Sequence, residues 1–505
     1  MADLHMRTLD KQRYLQNLGY EYRCIWECDF ERQSKVDELL KSFLKTLDVE
    51  DPLEPRDAFY GGRTEAFTMY AEASKNRQIK YYDVTSLYPY INKVGKVPLG
   101  HPTIITENFQ NIEEYEGLIK CKMIPPRNLF IPVLPYRSNG KLLFPLCRTC
   151  AEDSSTAKCC HGDQKRAITG TWVTDELKTA IRKGYRLLET YEVWHFESIS
   201  QYDTVLKTGG VFTEYVNTFL KLKQEASGWP NWCKTDHDKV KYINDFYDRE
   251  GILLDREKIE ENPGLRRLAK LMLNSFWGKF GQRTSMIQSS YISDQCEYFD
   301  MMSSDSQIVK DVNFVSDEMV RMDWNYDSDF LTASGRTNVV VAAYTTAQAR
   351  LKLYSYLEPL DRSALYCDTD SVVFTVEPGQ WKPNLGDNLG DLTDEVEGTS
   401  IVNFVTGGPK NYAYTLSKPN KDGEMSCCKV RGITLNYKNS LEINYDTVKD
   451  MVCGKKKKVT VCDELKTCRD KQSCNLLTTL ENKDYQIVFD KRVMSNKYVT
   501  LPYGM

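Results

Sequence analysis

The chain has 505 residues, with 67 Lys and Arg against 71 Asp and Glu, a formal net charge of -4. That length allows about two to four structural domains with sizeable cores, and the near balance of charge neither demands nor excludes a nucleic-acid partner, because local patches count for more than the total. No run of about 18 or more apolar residues is present, which argues against a membrane-spanning helix, and the opening stretch "MADLHMRTLDKQRY" has none of the apolar core of a secretory signal. Sixteen cysteines in a chain this long are too sparse for a disulfide framework and read as reduced thiols of an intracellular protein. In chain order, "YEYRCIWECDF" reads as a strand and "KVDELLKSFLKTL" as a helix. "EPRDAFYGGRTEAF" carries a tight turn at Gly61 and Gly62. "YYDVTSLYPY" is a strand that ends at Asp83 and bends before Pro89, which cannot donate to a ladder. Short strand-like runs between Pro98 and Pro145 lead into a cysteine-rich segment from Cys147 to His161. An amphipathic helix over "WVTDELKTAIRKGY" and a strand over "RLLETYEVWHF" follow. "GLRRLAKLMLNSFWGKFGQ" is a helix that starts after Pro263, and the acidic stretch 294–330 reads as irregular. "TNVVVAAYTTAQARLKLYSYL" is a further helix, "ALYCDTDSVVFTV" a hairpin with an acidic tip, and "KNYAYTLSK" and "MSCCKVRGITL" further strands.

Three elements carry chemistry. Asp368 and Asp370 are two residues apart and share a face of an extended strand, where a divalent cation would relieve their repulsion. Asp83 can supply a third carboxylate if its strand lies beside that hairpin. The alternative is that "DTDS" is only a turn. On the helix, Arg266, Lys270 and Asn274 recur every four residues and form one stripe, with no acid between Pro263 and Arg283. Leu268, Leu271, Met272 and Phe276 form the expected core side. Such a stripe is either a solvated face or a clamp for a triphosphate. Trp277 and Gly278, one turn beyond Asn274, offer a flat surface for a base pair.

"DVTSLYP", "KLMLNSFWG" and "YCDTDS", in that order, resemble motifs A, B and C of family B DNA polymerases. "FYGGR" is similar to the Gly-Gly motif of the protein-primed branch, and "GPKNYAY" to its Lys-x-Tyr motif at Lys410 and Tyr412. "WECDF", "LCRTCAED", "GTWVTDEL", "YEVWHF" and the terminal "KRV" and "TLPYG" resemble the protein-primed polymerases of Maverick/Polinton transposons and related viruses. The chain departs from the pattern at Phe59 and at Trp277, where tyrosine is more usual, and it would correspond to a polymerase core that starts after the family's exonuclease domain.

The resemblance implies an α+β right-hand polymerase. Its parts would be an N-terminal lead segment over 1–58, palm with motif A over 59–100, and a terminal-protein-region-like insertion over 101–198. Fingers with motif B would follow over 199–283, an acidic insertion over 284–330, palm with motif C over 331–435, and thumb over 436–505. It implies DNA-directed DNA synthesis from dNTPs, with Asp83, Asp368 and Asp370 as the catalytic acids. Two Mg2+ or Mn2+ ions, about 3.5–4 Å apart, would be held by Asp83, Asp370 and the carbonyl of Val84. Ser86 and Leu87 would offer backbone N–H groups to the triphosphate, and Tyr88 would be the steric gate against ribose. Lys223, Arg266 and Lys270 would hold phosphates, and Asn274 and Trp277 would contact the new pair. Tyr60, Gly61, Gly62, Lys410, Tyr412, Lys429 and Arg431 would meet DNA. A terminal protein carrying the priming hydroxyl would be a further partner. The alternative from another class is a non-catalytic DNA-binding transposon relic, which would have no use for three acids that repel phosphate; an RNA-synthesising or reverse-transcribing enzyme is opposed by Tyr88 and the motif B helix. Cys147, Cys150, Cys159 and His161 have the ligand types of a structural zinc site, with reduced surface cysteines on a loop as the equal alternative. Lys455–Lys458 reads as a solvated loop, a thumb contact to DNA, or a nuclear import signal.

Overall fold

The computed structural model describes residues 2–46, 51–327, 330–331, 335–470, 475–495 and 498–505. The chain divides into two compact units, Met1–Pro52 and Leu53–Met505. The first holds helices Ala2–Asn17, Glu27–Val36 and Glu38–Thr46. The strand expected over residues 20–30 is not formed: residues 20–26 have no regular structure and a helix begins at Glu27. Its aromatic and branched residues suit a pleated surface only where a neighbouring strand exists, and here Tyr20, Ile25 and Trp26 are exposed. Glu27 and Asp29 instead occupy the first turn of a helix, where acids are favoured.

The second unit is built on a nine-stranded sheet. Its strands are β1 (Thr64–Ala66), β2 (Tyr70–Glu72), β3 (Gln78–Val84), β4 (Ala364–Asp368), β5 (Ser371–Val376), β6 (Leu392–Asp394), β7 (Ile401–Gly408), β8 (Asn411–Leu416) and β9 (Ser426–Lys429). The spatial order is β1-β4-β5-β3-β7-β8-β9, with β6 on β3 and β2 on β7, all antiparallel. The expected hairpin is β4–β5. Because side chains alternate, Tyr82 and Val84 pack with Cys367, Val372 and Phe374 on one face, and Ile79 and Tyr81 with Tyr366, Val373 and Phe404 on the other. Each such buried side chain contributes about 1.5–3 kcal/mol.

The helix Val339–Leu360 covers the first face through Ala349, Leu353 and Leu357. Its buried Arg350 pairs with Glu176 at 2.8 and 2.9 Å and donates to the carbonyls of Tyr60 and Gly61 at 2.8 and 2.9 Å. Leu53 and Ala58 pack with Leu118, Val173 and Tyr344, so the residues just before the Gly-Gly turn belong to this unit.

Residues 103–195 contribute a four-stranded sheet, backed by helix Thr174–Arg182. The described part of the acidic stretch, 294–327, carries regular elements, against expectation. Helix Gln295–Met302 and strands Gln288–Ile292, Gln307–Ser316 and Met319–Tyr326 form a small α/β element around Ile292, Met322 and Trp324. No clean alternation marks these strands, because Ile308, Phe314 and Met319 are exposed while Asp323 is half-buried. Among the described residues no helix is long and apolar enough to cross a membrane.

Candidate active site

Helix Pro263–Phe280 starts where Asn262 accepts from the Leu265 N–H at 3.0 Å, and Pro263 occupies a first-turn position that needs no N–H donor. It packs against helix Thr213–Glu225, where Phe276 lies stacked on Tyr215 at 4.2 Å. Ala269 and Leu273 are its buried residues, and Met272 and Phe276 are half-buried. Leu268 and Leu271, expected in the core, are exposed at 51% and 61%. With one helix as its main partner, the apolar stripe is narrower than the sequence pattern implied.

The polar stripe of this helix and the end of β3 face the same space. Asp83, Val84, Ser86, Leu87, Tyr88, Lys223, Arg266, Lys270, Asn274, Asp370, Thr393 and Glu395 line one cavity of about 600 Å³. Asp83 lies opposite Ser371 in the ladder, and the Val84 N–H donates to the Asp370 carbonyl at 2.7 Å, which fixes β3 to the hairpin tip. Ser86 adopts a left-handed backbone (φ 54°), as does Thr369 at the hairpin tip (φ 58°) and Lys410 (φ 57°). Ser86 turns the chain into helix Leu87–Val94, whose first N–H groups have no preceding helical carbonyl and favour an anion. The Leu87 side chain itself is buried.

Burial, then Asp370 and Glu395, push the Asp83 carboxyl up to about 7, with Lys270 and Lys429 opposing. Burial, Asp368 and Glu395 push Asp370 up to about 6, with Lys410 opposing. On the other wall, burial and the neighbouring Arg266 and Lys270 hold the Lys223 ammonium below its usual range. The cavity thus sets crowded carboxylates against crowded cations. Two carboxylates and a backbone carbonyl form an all-oxygen donor set of the kind that hard divalent cations take, and a cation there would relieve the repulsion that raises both acids. Glu395 and Thr393 were not found from the sequence, because β6 is three residues long and carries no motif.

Other expected residues lie elsewhere. Asp368 is not among the cavity residues. Its carboxylate accepts from the Thr64 hydroxyl at 2.9 Å, lies 3.6 Å from the Lys410 ammonium, and adds to the negative charge that pushes Asp370 up. Tyr60 is 4% exposed with Arg137 and Arg350 against its ring, and Tyr412 is 4% exposed with its hydroxyl bonded to that of Tyr81 at 3.1 Å. Both rings are therefore packed into the interior rather than lying open on the surface. Apolar cores on either side of the turn and of β8 claim them. Gly61 is open, whereas a Cβ on Gly62 would come within 2.8 Å of the Thr369 side chain. Lys429 is exposed at the end of β9, but Arg431 lies past the strand and lines a different cavity of about 640 Å³ with Lys141, Lys483 and Lys491. The strand expected over "MSCCKVRGITL" therefore stops at Lys429, short of Arg431. Within the lysine run, Lys455 pairs with Asp450 and Lys458 with Asp484. Trp277 stacks on Tyr88 and meets Phe59 edge-on, so the two positions that depart from the family pattern touch each other.

The model of DNA polymerase type B, organellar and viral, matches residues 24–240 and 231–361. The chain belongs to this family. Probable DNA polymerases of Neurospora intermedia (25% identical over 214 residues, 40% of this chain and 18% of the relative) and Agaricus bitorquis (22% over 368 residues, 65% and 37%) are similar to it. The chain thus spans less than two fifths of the length of either. Among solved structures, Phi29 DNA polymerase complexed with primer-template DNA and incoming nucleotide substrates matches with a TM-score of 0.53 at 16% identity, over 91% of this chain and 69% of that one. The Phi29 enzyme complexed with single-stranded DNA gives 0.52 at 16%, over 94% and 69%. This type B polymerase chain therefore has the expected α+β right-hand fold.

Proposed function

We propose that the chain is the catalytic core of a DNA-directed DNA polymerase that joins dNTPs to a primer end by two-metal nucleotidyl transfer. One observation carries the reading: Asp83 and Asp370 face Lys223, Arg266 and Lys270 across a single cavity. Asp83, Asp370 and the Val84 carbonyl would hold the divalent ions, which supply charge neutralisation at the attacking and leaving oxygens. Lys223, Arg266 and Lys270 bind the triphosphate, and the N–H groups of Ser86 and Leu87 add neutral donors at its foot. Tyr88 bounds the sugar and excludes a 2′-hydroxyl, with Trp277 behind it. Asn274 meets the new pair at the open side of the helix, while Asp368 holds Lys410 beside Asp370. Gly61, Lys410 and Lys429 would meet the primer–template backbone.

In this reading 59–100 and 331–435 are palm, 199–283 fingers, 436–505 thumb, and 101–198 and 284–330 insertions. The protein-primed, Maverick/Polinton-type assignment rests on "FYGGR" and "GPKNYAY"; it would place a terminal-protein hydroxyl where a primer 3′-hydroxyl otherwise sits. The test is extension of a primed template with dNTPs and magnesium, comparing the wild type with Asp370→Asn. Extension by the wild type alone supports the reading; equal rates in both reject it. Deoxynucleotidylation of a hydroxyl-bearing terminal protein in place of the primer tests the priming mode.

A further inference from the structure

A second cluster lies away from the cavity and shares no residue with it. Cys147 and Cys150 are buried at the start of a short helix, Arg148–Glu152. Cys159 and His161 return to them from the following loop. The His161 Nδ1 is 3.4 Å from the Cys147 sulfur, 3.3 Å from that of Cys150 and 3.8 Å from that of Cys159. All four ligand atoms lie within 4.8 Å of one another. A tetrahedral zinc site with Zn–S bonds of about 2.3 Å spaces its sulfurs about 3.8 Å apart, so this arrangement is already close to closing on an ion. The neighbouring Cys160 is exposed and outside the group.

The surroundings also fit an anionic thiolate set. Arg166 is 2% exposed and donates to the carbonyls of Pro125 and Leu146, and Arg127 donates to the His161 carbonyl. Arg166 also lies 3.7 Å from the half-exposed Asp163 carboxylate, and a buried guanidinium is less costly the more negative charge stands nearby. Three thiolates around a dication leave one further net negative charge beside it. The cysteines are therefore not the surface thiols of the alternative reading, since two of the three are in the core and Cys159 is half-buried.

We propose that Cys147, Cys150, Cys159 and His161 bind one structural zinc ion. Three sulfurs and one nitrogen complete a tetrahedron and leave no position for substrate, so the site is a fastener. What it fastens is visible in the packing. The Leu146 N–H donates to the Tyr503 carbonyl at 2.7 Å, and a Cβ on Gly504 would come within 2.4 Å of that of Cys147. Tyr503 packs with Leu143, Cys147 and Cys150, and its hydroxyl donates to the Asp490 carbonyl. The Thr500 hydroxyl donates to the Ala66 carbonyl of β1, the strand paired with β4. The ion would thus pin the 141–166 segment onto the C-terminal residues 500–505, which border β1, the neighbour of the strand bearing Asp368.

The test uses the full chain, reduced, exposed to zinc and then desalted. Elemental analysis is expected to find about one zinc per chain, and X-ray absorption about three sulfurs at 2.3 Å with one nitrogen at 2.0–2.1 Å. Cys159→Ser, a half-buried loop position, is expected to lose the ion on desalting, while Cys160→Ser keeps it. Should Cys159→Ser fail to fold, the wild-type coordination shell decides alone. A folded, reduced wild type that takes up no zinc, a shell poor in sulfur, or a Cys159→Ser chain that retains zinc would each overturn the proposal.

Discussion

The indole of Trp277 lies on the ring of Tyr88, with centroids 4.3 Å apart and planes inclined by 23°. The contact joins the motif B helix to the bend that follows Asp83, so the ring proposed to exclude ribose is braced from the fingers side. Trp277→Ala removes the brace. Discrimination between dNTP and rNTP, read as the ratio of kcat/KM values, is expected to fall by about 10–200-fold, the scale of one misfitted group in an apolar pocket. Trp277→Tyr should preserve it. Full discrimination in Trp277→Ala would mean that Tyr88 is held by its other neighbours.

Lys270 touches the problem of charge rather than shape. It stands on the cavity wall opposite Asp370, with Arg266 one turn before it. Lys270→Gln is expected to raise the KM for dNTP by about 10–100-fold, the equivalent of one charged hydrogen bond of about 1.5–3 kcal/mol. Primer–template affinity, measured by titration without nucleotide, should stay near wild type. Equal losses in both would place Lys270 on the DNA instead.

Asp83 is held in the folded chain against the repulsion of Asp370 and Glu395. Asp83→Asn is expected to raise the thermal midpoint of the metal-free protein at neutral pH while abolishing extension. Divalent cations should raise the midpoint of the wild type and leave that of the variant unchanged. A variant that melts earlier without metal would show that Asp83 is stabilised by contacts other than those of an ion site.

Beside β4, at β1, runs a buried ion network. Glu65 accepts from Arg63 at 2.5 and 2.7 Å and lies 3.5 Å from Arg492. Burial alone would raise its carboxyl, but the two guanidinium groups beside it prevail and hold it below the usual carboxylate range. A carboxyl lowered on folding adds stability that is complete above its unfolded value and is lost as pH falls through the folded one. Urea unfolding of the wild type should therefore weaken across that acid window. Glu65→Gln should flatten the dependence there and cost about 3–5 kcal/mol at neutral pH, because two buried cations lose their partner.

The two glycines of "FYGGR" should behave differently. Gly62→Ala drives a methyl into Thr369 at the hairpin tip, whereas Gly61→Ala meets open space. Lower thermal stability and slower extension are expected for Gly62→Ala. Gly61→Ala should keep stability and, if the backbone approaches DNA there, lose template affinity. Band-shift titration beside thermal unfolding separates the two.

Much of this was legible in the sequence because periodicity and short motifs report local geometry. The Arg266–Lys270–Asn274 stripe and the hairpin around Asp370 needed only helix and strand spacing. What escaped was set by contacts distant along the chain. Glu395 joins the site because β6 pairs with β3. Tyr60 and Tyr412 looked available because nothing nearby in sequence says that Arg350 or Tyr81 will cover them. Leu268 and Leu271 looked buried because a pattern cannot count how many neighbours a helix will have. Residues 20–30 carried strand-like composition with no strand to pair with.

The position of β3 has a consequence for biogenesis. Among the described residues, every strand that hydrogen-bonds to it, β5, β6 and β7, is encoded about 290 residues or more downstream. At a synthesis rate of about 5–20 residues per second, that apolar ribbon emerges from the ribosome and waits on the order of 15–60 seconds for a mate. A nascent chain arrested before residue 371 would expose it to self-association, so holdase chaperones should capture such truncated products far more than the finished protein.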